Sequence, residues 1–310
     1  MLKLVGATQD RTEWTVRRIL KRLGLAKSRY YDWSRRGDDA LLEDLCPGSR
    51  SSPHAILAEE KEAVVGYALS HPREGYRRLA WMMVDEDVAC VSPTSVYRIL
   101  SDADLLYRWK RRARVGARPA EPQGPNERWH TDLMYLRVED TWYFLVTVLD
   151  AYSRYVVHWD LLTSMTAAAV RVVIHDALKK TGASPQVVTD NGSQFKAKDF
   201  KELVRDFELE HIRIRTYHPE SNGRVERFHR STREALDEQD LKNLGRARQI
   251  IGRWVEFYNT RRLHAGLKYL PPAEYWQGDP QARIEERTQK LKQARQRREI
   301  INRKRLQEAA

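Results

Sequence analysis

The chain has 310 residues, with 55 lysines and arginines against 43 aspartates and glutamates, and a formal net charge of +12. This length predicts two or three folding units, and the charge favours a polyanionic partner such as DNA. No apolar run approaches the roughly 20 residues that span a bilayer, and no apolar leader opens the sequence, so we expect a cytoplasmic protein without a membrane partner. Cys46 and Cys90 lack the spacing of a zinc site, so we expect no zinc.

Residues 1–36 have the pattern of a helix-turn-helix-like unit. Thr12 is predicted to cap a helix that carries Ile19 and Leu20, and Gly24 is predicted to end it. A second helix, basic and aromatic, is predicted over KSRYYDWSRR. Residues 37–56 turn acidic and then rich in Gly, Ser and Pro, which predicts a linker.

Residues 57–107 are predicted to form a second helix-turn-helix unit. LAEEKEAVVGYALSH and RRLAWMMVDE are its first two helices, and Ser92-Pro93 marks the start of the third. If the third helix enters a major groove, Thr94, Ser95 and Arg98 would lie near the bases. The alternative is a helical bundle that contacts no nucleic acid.

Residues 108–126 are predicted to be a basic linker. The cluster Lys110, Arg111 and Arg112 would track a phosphate backbone. The alternative is a solvated tether.

Residues 127–277 predict an α/β catalytic core. Strands are expected over 129–138, 142–150, 155–162, 186–189 and 212–216, and helices over 167–179, 199–207, 223–238 and 246–260. Three consecutive antiparallel strands followed by alternating helices and strands give a mixed sheet with helices on its faces. Residues 278–310 are predicted to form a basic helical tail that either lies on DNA or is solvated.

Three acidic residues occupy unusual positions. Asp132 lies inside the apolar strand WHTDLMYL, Asp190 ends the strand VVTD before a turn, and Glu226 lies near the start of a helix. Buried together, three carboxylates would be costly unless cations neutralise them, and oxygen ligands suit Mg²⁺ or Mn²⁺. Two ions roughly 3.5–4 Å apart can activate a nucleophile and stabilise a leaving oxygen at a phosphate, with Asp132 bridging both ions. Each acid alone also fits a turn, a cap or a solvated pair, but the joint pattern favours the metal site.

The flanks of these acids carry a resemblance. WHTDLMYL, VVTDNGSQF and TYHPESNGRVERFHR resemble the three signature blocks of the retroviral integrase and bacterial transposase superfamily. In that superfamily 35 residues lie between the last two acids, as they do between Asp190 and Glu226: 226 − 190 − 1 = 35. FYNTRRLHAGLKYLPPAEYW resembles the end of that core in insertion-sequence transposases. The two helix-turn-helix-like units upstream are similar to those in the catalytic subunit of the IS-three family. The resemblance implies an RNase H-like integrase core with a five-stranded sheet, and Asp132, Asp190 and Glu226 as its catalytic triad.

Further residues are carried over by position. Asn191 lies in the turn beside the second acid, Asn222 in the loop before the third, and Arg227 and Arg230 on the helix of Glu226, where Arg230 could reach a DNA phosphate. His229 is expected to be an inert residue of the helix surface. We also expect His130 to point to the opposite face of its strand from Asp132.

The sequence therefore predicts a DNA transposase that binds terminal inverted repeats and uses two Mg²⁺ or Mn²⁺ ions to cleave and join DNA strands. Two element ends must meet, so a dimer or higher homo-oligomer on DNA is expected, with nucleoid association in a bacterial cell. The need for a partner protein from an upstream frame stays open. The alternatives are an inactive DNA-binding regulator and an RNase H-like nuclease that only hydrolyses.

Overall fold

The computed structural model of the chain describes residues 2–36, 52–106, 121–213, 223–237 and 239–308. Two compact units are present, Met1–Ser52 and Pro53–Ala310. The predicted linkers 37–56 and 108–126 fall mostly outside the described residues, as do Lys110, Arg111, Arg112 and Asn222. None of the described helices is both long and apolar enough to cross a membrane.

The first unit contains three short helices where the sequence predicted two. They are α1 (Leu2–Arg11), α2 (Val16–Arg22) and α3 (Lys27–Arg36). Thr12 does not cap α2, because its hydroxyl donates to the carbonyl of Thr8 at 2.7 Å and the helix begins after Thr15. Gly24 follows α2 with φ +64°, a conformation that glycine adopts without strain.

The second unit opens with the predicted three-helix segment: α4 (Ala58–Ser70), α5 (Tyr76–Asp85) and α6 (Pro93–Asp102). Ser92 caps α6 as predicted, since its hydroxyl accepts from the backbone N–H of Ser95 at 3.3 Å. Val64, Met83 and Val96, one from each helix, are fully buried together, so the segment has its own apolar core.

The predicted mixed five-stranded sheet is confirmed. Its strands are β1 (Arg128–Val138), β2 (Thr141–Asp150), β3 (Val156–Leu162), β4 (Gln186–Thr189) and β5 (Glu210–Arg213). Their order is β3-β2-β1-β4-β5, with β1, β2 and β3 antiparallel and β4 parallel to both β1 and β5. The central strand is therefore β1, the strand that carries Asp132.

Helices cover both faces of the sheet, and an apolar layer lies between the sheet and the helices on each face. On one face lie α7 (Ala167–Thr181) and α8 (Lys198–Asp206), packed on residues such as Trp129 and Val187. On the other lie α9 (Gly223–Leu236) and α10 (Leu244–Thr260), packed on Met134 and Leu145. Asp132 has the same parity along β1 as Met134, so it faces α9 and α10.

The C-terminal segment comprises α11 (Pro272–Trp276) and the 29-residue α12 (Pro280–Glu308). The predicted basic helix is present, but its strongest arginine contacts are with protein. Arg287 is 3% exposed and binds both carboxylate oxygens of Asp85, and Arg298 is 7% exposed and binds both of Glu60. These residues are eleven apart and share one face of α12. That face is thus neither solvated nor free for DNA, and it ties α12 to α4 and α5.

Candidate active site

The register of the parallel strands brings the first two acids together. Thr131 on β1 is paired with Thr189 on β4. Asp132 follows Thr131 within β1, and Asp190 directly follows Thr189, the last residue of β4. Since neighbouring strands are about 4.8 Å apart, the register brings the two acids close together. The position of Asp190 is fixed by its own turn, because its Oδ1 accepts from the backbone N–H of Gly192 at 2.9 Å.

The third acid is placed by the buried face of α9. Val225 and Phe228 on that face are at most 1% exposed and pack against β1 and α10. Glu226 lies between them in the first turn of the helix and is exposed. The carboxyl groups of Asp190 and Glu226 are both close enough to Asp132 to act on its ionisation.

Asp132 is the electrostatically strained member of the triad. Burial raises its pKa to about 6, and the negative charges of Asp190 and Glu226 act in the same direction, against one backbone hydrogen bond from Leu133. The described part of the chain offers it no lysine or arginine partner within ion-pair distance. A charge that is buried and crowded by two others is stabilised by an added cation.

None of the three acids is fully buried, which differs from the sequence-based expectation. The side chain of Asp132 is 19% exposed, whereas Asp190 and Glu226 are exposed. The reason is topological: Asp132 lies inside the central strand, Asp190 follows the end of a four-residue strand, and Glu226 lies on the outer side of α9. The triad therefore opens toward solvent on one side, where a macromolecular substrate has access.

His229 was missed by sequence reasoning. It is not on the helix surface but 6% exposed, with Nδ1 3.6 Å from Oδ2 of Asp132. Burial lowers its pKa to about 4, with the positive charge of Arg233 adding to the effect, so the ring is neutral near pH 7 and does not compensate Asp132. The available signal was the spacing of Val225, Phe228, His229 and Thr232, which is that of one buried helix face.

His130 was also placed on the wrong face. Side chains alternate along a strand, so His130 and Asp132, two positions apart, share a face. His130 is 4% exposed and lies opposite Leu149 of β2. It belongs to the packed interior beside the site.

The remaining predicted residues are distributed over two regions. Asn191, Arg227 and Arg230 are exposed around the triad. On α6, Thr94 and Arg98 are exposed and Ser95 is half-buried, so this helix presents a polar surface. The structure therefore places Asn191, Arg227 and Arg230 near the three acids. The residues of α6 lie on a separate helix.

The donor set fits hard divalent cations. Three carboxylates supply oxygen ligands only, which Mg²⁺ and Mn²⁺ prefer. Within the described residues these groups do not already converge as a closed ligand cluster. Mutual repulsion of carboxylates favours some separation, and it adds to burial, the larger cause, in raising the pKa of Asp132.

Comparison with known proteins gives one consistent family. Two models, each described as an integrase core domain, match residues 122–219 and 208–272. A transposase for insertion sequence element IS904 from Lactococcus lactis is 27% identical over 182 residues, covering 54% of this chain and 72% of that protein. Transposase InsF for insertion sequence IS3A from Escherichia coli is 24% identical, covering 88% of this chain and 98% of that protein.

Solved integrase structures are also among those similar to this chain. The catalytic core domain of HTLV-2 integrase, in complex with magnesium in its trimeric form, is 19% identical with a TM-score of 0.43. The similarity covers 49% of this chain and 97% of that one.

Proposed function

We propose that this chain, which belongs to the DDE transposase and integrase superfamily and resembles its IS3-type members, acts on DNA through Asp132, Asp190 and Glu226. The chain is a DNA transposase that cleaves strands and joins them to another DNA strand. The observation that carries the site assignment is the arrangement at β1, where Asp190 and Glu226 both act on Asp132 and no described lysine or arginine pairs with it.

The integrase core depends on a divalent metal ion. Asp132, Asp190 and Glu226 would hold two such ions, Mg²⁺ or Mn²⁺, with Asp132 between them. Bound there, the ions supply Lewis-acid activation of the attacking hydroxyl and stabilisation of the leaving oxygen. The protein's own contribution is to hold the carboxylates on a rigid central strand and helix, with neutral His229 packed beside Asp132.

DNA would contact several surfaces. The exposed polar side of α6, with Thr94, Arg98 and half-buried Ser95, fits a major groove, in support of the helix-turn-helix prediction. Lys110, Arg111 and Arg112 would add phosphate contacts before the core. Near the triad, Asn191, Asn222, Arg227 and Arg230 would position the reacting strand.

Two element ends must be processed together, so the active form is a homo-oligomer on DNA. Terminal inverted repeats and target DNA are its ligands, and the nucleoid is its place of action in a bacterial cell. No zinc is required, and an upstream-frame partner protein is a further component to test by addition.

A strand-joining assay tests this function. Purified protein with Mg²⁺ and a duplex carrying the element end should yield both nicked and joined products. Nicks without joining would instead identify a hydrolytic nuclease. Binding without either product, with candidate partner proteins added, would identify an inactive regulator.

Metal binding has a separate readout in thermal stability. Mg²⁺ at about 100 times its Kd should raise the free energy of unfolding of the wild type by about 2.7 kcal/mol. For a domain of roughly 150–250 residues this corresponds to an increase in Tm of roughly 5–10 °C. Asp132→Asn should lose most of that shift because the central ligand is gone.

Asp140→Asn is the matched control, since Asp140 has a side chain that is 96% exposed in the turn after β1 and should keep the wild-type shift. Equal Mg²⁺ shifts in the wild type and in Asp132→Asn would exclude Asp132 as a ligand.

A further inference from the structure

Four arginines from four different parts of the chain surround one loop, residues 261–266, which follows α10. They are Arg78 on α5, Arg154 in the turn between β2 and β3, Arg227 on α9, and Arg262 in the loop itself. Their positive charges all act on His264 in the same loop. Such convergence needs a reason, because like charges repel one another.

Specific contacts hold three of the four side chains in place. The Nε of Arg78 donates to the carbonyl of Leu263 at 3.1 Å. The guanidinium of Arg262 donates to Oγ of Ser231 at 3.3 Å. The guanidinium of Arg154 occupies the space that a Cβ on Gly266 would need, so glycine at this position allows the close approach. The cluster is therefore a built feature of the loop.

Ion pairs among the described residues do not balance the charges of Arg227 and Arg262. Glu74 forms an ion pair with Arg78. Among the described residues, neither Arg227 nor Arg262 forms an ion pair with a carboxylate, and Glu234 acts on Arg262 only at longer range. Burial lowers the pKa of Arg262, and the neighbouring charge of Arg78 lowers it further. A bound anion would relieve both effects.

His264 supplies an independent observation. It is 8% exposed, and its ring packs edge-on against Tyr258 with centroids 4.8 Å apart. Its Nε2 atom is buried without a hydrogen-bond partner among the described residues. Burial, together with the four arginines, lowers its pKa to about 3, so the ring is neutral. With its proton on Nε2, the neutral ring could donate to one more acceptor, and the surrounding positive charge favours an anionic one.

We propose that the arginine cluster around residues 261–266 binds a phosphate of the DNA backbone close to the reacting strand. This inference rests on the proposed function. Arg227 directly follows Glu226, and Ser231, which anchors Arg262, lies five residues beyond Glu226 on α9. Five residues rise about 7.5 Å along a helix, which is about two nucleotide steps of a DNA strand. Guanidinium groups bind phosphates through paired hydrogen bonds, so arginine suits this ligand better than lysine.

The salt dependence of DNA binding tests the site. The full chain is titrated with a short labelled duplex of mixed sequence over a range of salt concentrations. Removing one phosphate contact should make the slope of log K against log salt shallower by about 0.9. We expect this change in Arg262→Gln, and in Arg227→Gln as a second, surface variant that leaves the loop intact. Arg261→Gln removes an exposed charge from the same loop and should keep the wild-type slope.

Neutral methylphosphonates placed one at a time in the duplex locate the contact. A methylphosphonate at one position should weaken DNA binding by the wild type and leave DNA binding by Arg262→Gln unchanged. Wild-type slopes in both Arg262→Gln and Arg227→Gln would overturn the proposal, as would an equal change in Arg261→Gln. If both variants kept the wild-type slope but no longer formed the oligomer, the cluster would instead bind an acidic segment of a second copy of the chain. Strand joining by the wild type is scored separately, so a failure of the proposed function is distinguishable from a failure of this site.

Discussion

Asp132→Asn should reduce strand joining by about 10⁴-fold, since loss of the metal ligand that we propose at the centre of the triad would remove several kcal/mol of transition-state stabilisation. About 1.4 kcal/mol corresponds to tenfold in rate. Asp132 lies on the central strand beside Asp190, and neutral His229 leaves its charge for cations to compensate. Glu226→Gln should have an effect of the same order. Single-turnover rates of joined product with Mg²⁺ provide the measurement.

Two controls make the loss specific. DNA binding by both variants should stay within a few-fold of the wild type. Asp140→Asn removes an exposed carboxylate from the turn that follows β1 and should retain wild-type joining. If Asp132→Asn joined strands at the wild-type rate, the triad assignment would be wrong.

The second large effect is on stability. Arg298→Gln should lower the free energy of unfolding by about 3 kcal/mol, because removing one partner of a buried ion pair leaves the other uncompensated. Arg298 donates to Glu60 at 2.7 and 3.0 Å and also to the carbonyl of Cys90. The contact joins α12 to α4 across more than 200 residues of sequence. Urea unfolding followed by tryptophan fluorescence measures the change.

Arg303→Gln is the matched control for this effect. Arg303 lies on the same helix with a side chain 68% exposed and pairs only locally with Glu299, so its loss should change stability by less than about 0.5 kcal/mol. Combining Arg298→Met with Glu60→Met should recover part of the loss, because an apolar pair carries no desolvation cost. Identical urea midpoints for the wild type and Arg298→Gln would show that the pair does not fasten α12.

Strong local patterns determined the elements themselves. A run rich in β-branched and aromatic residues predicted β1 within one residue at its start, and Ser92-Pro93 predicted the first residue of α6. Motif flanks identified Asp132, Asp190 and Glu226 as the candidate site, since a carboxylate inside an apolar strand is a signal that a single sequence carries. Thr12 shows the limit of such reasoning. Its hydroxyl bonds back to Thr8 within α1, a helix that the capping argument had not included.

Only the tertiary structure decided which groups meet across long separations. The face of α12 was ambiguous in sequence because a basic helix suits water, DNA or acidic protein equally well, and the partners Glu60 and Asp85 lie some 200 residues away. His229 became a neighbour of Asp132 through the packing of α9 on β1. Arg78, Arg154, Arg227 and Arg262 came together from two helices, one turn and one loop. Burial and charge crowding depend on these distant contacts. Local sequence patterns therefore determined the helices and strands, and motif flanks identified the three acids. Packing determined the ionisation of Asp132, the partners of α12 and the arginine cluster.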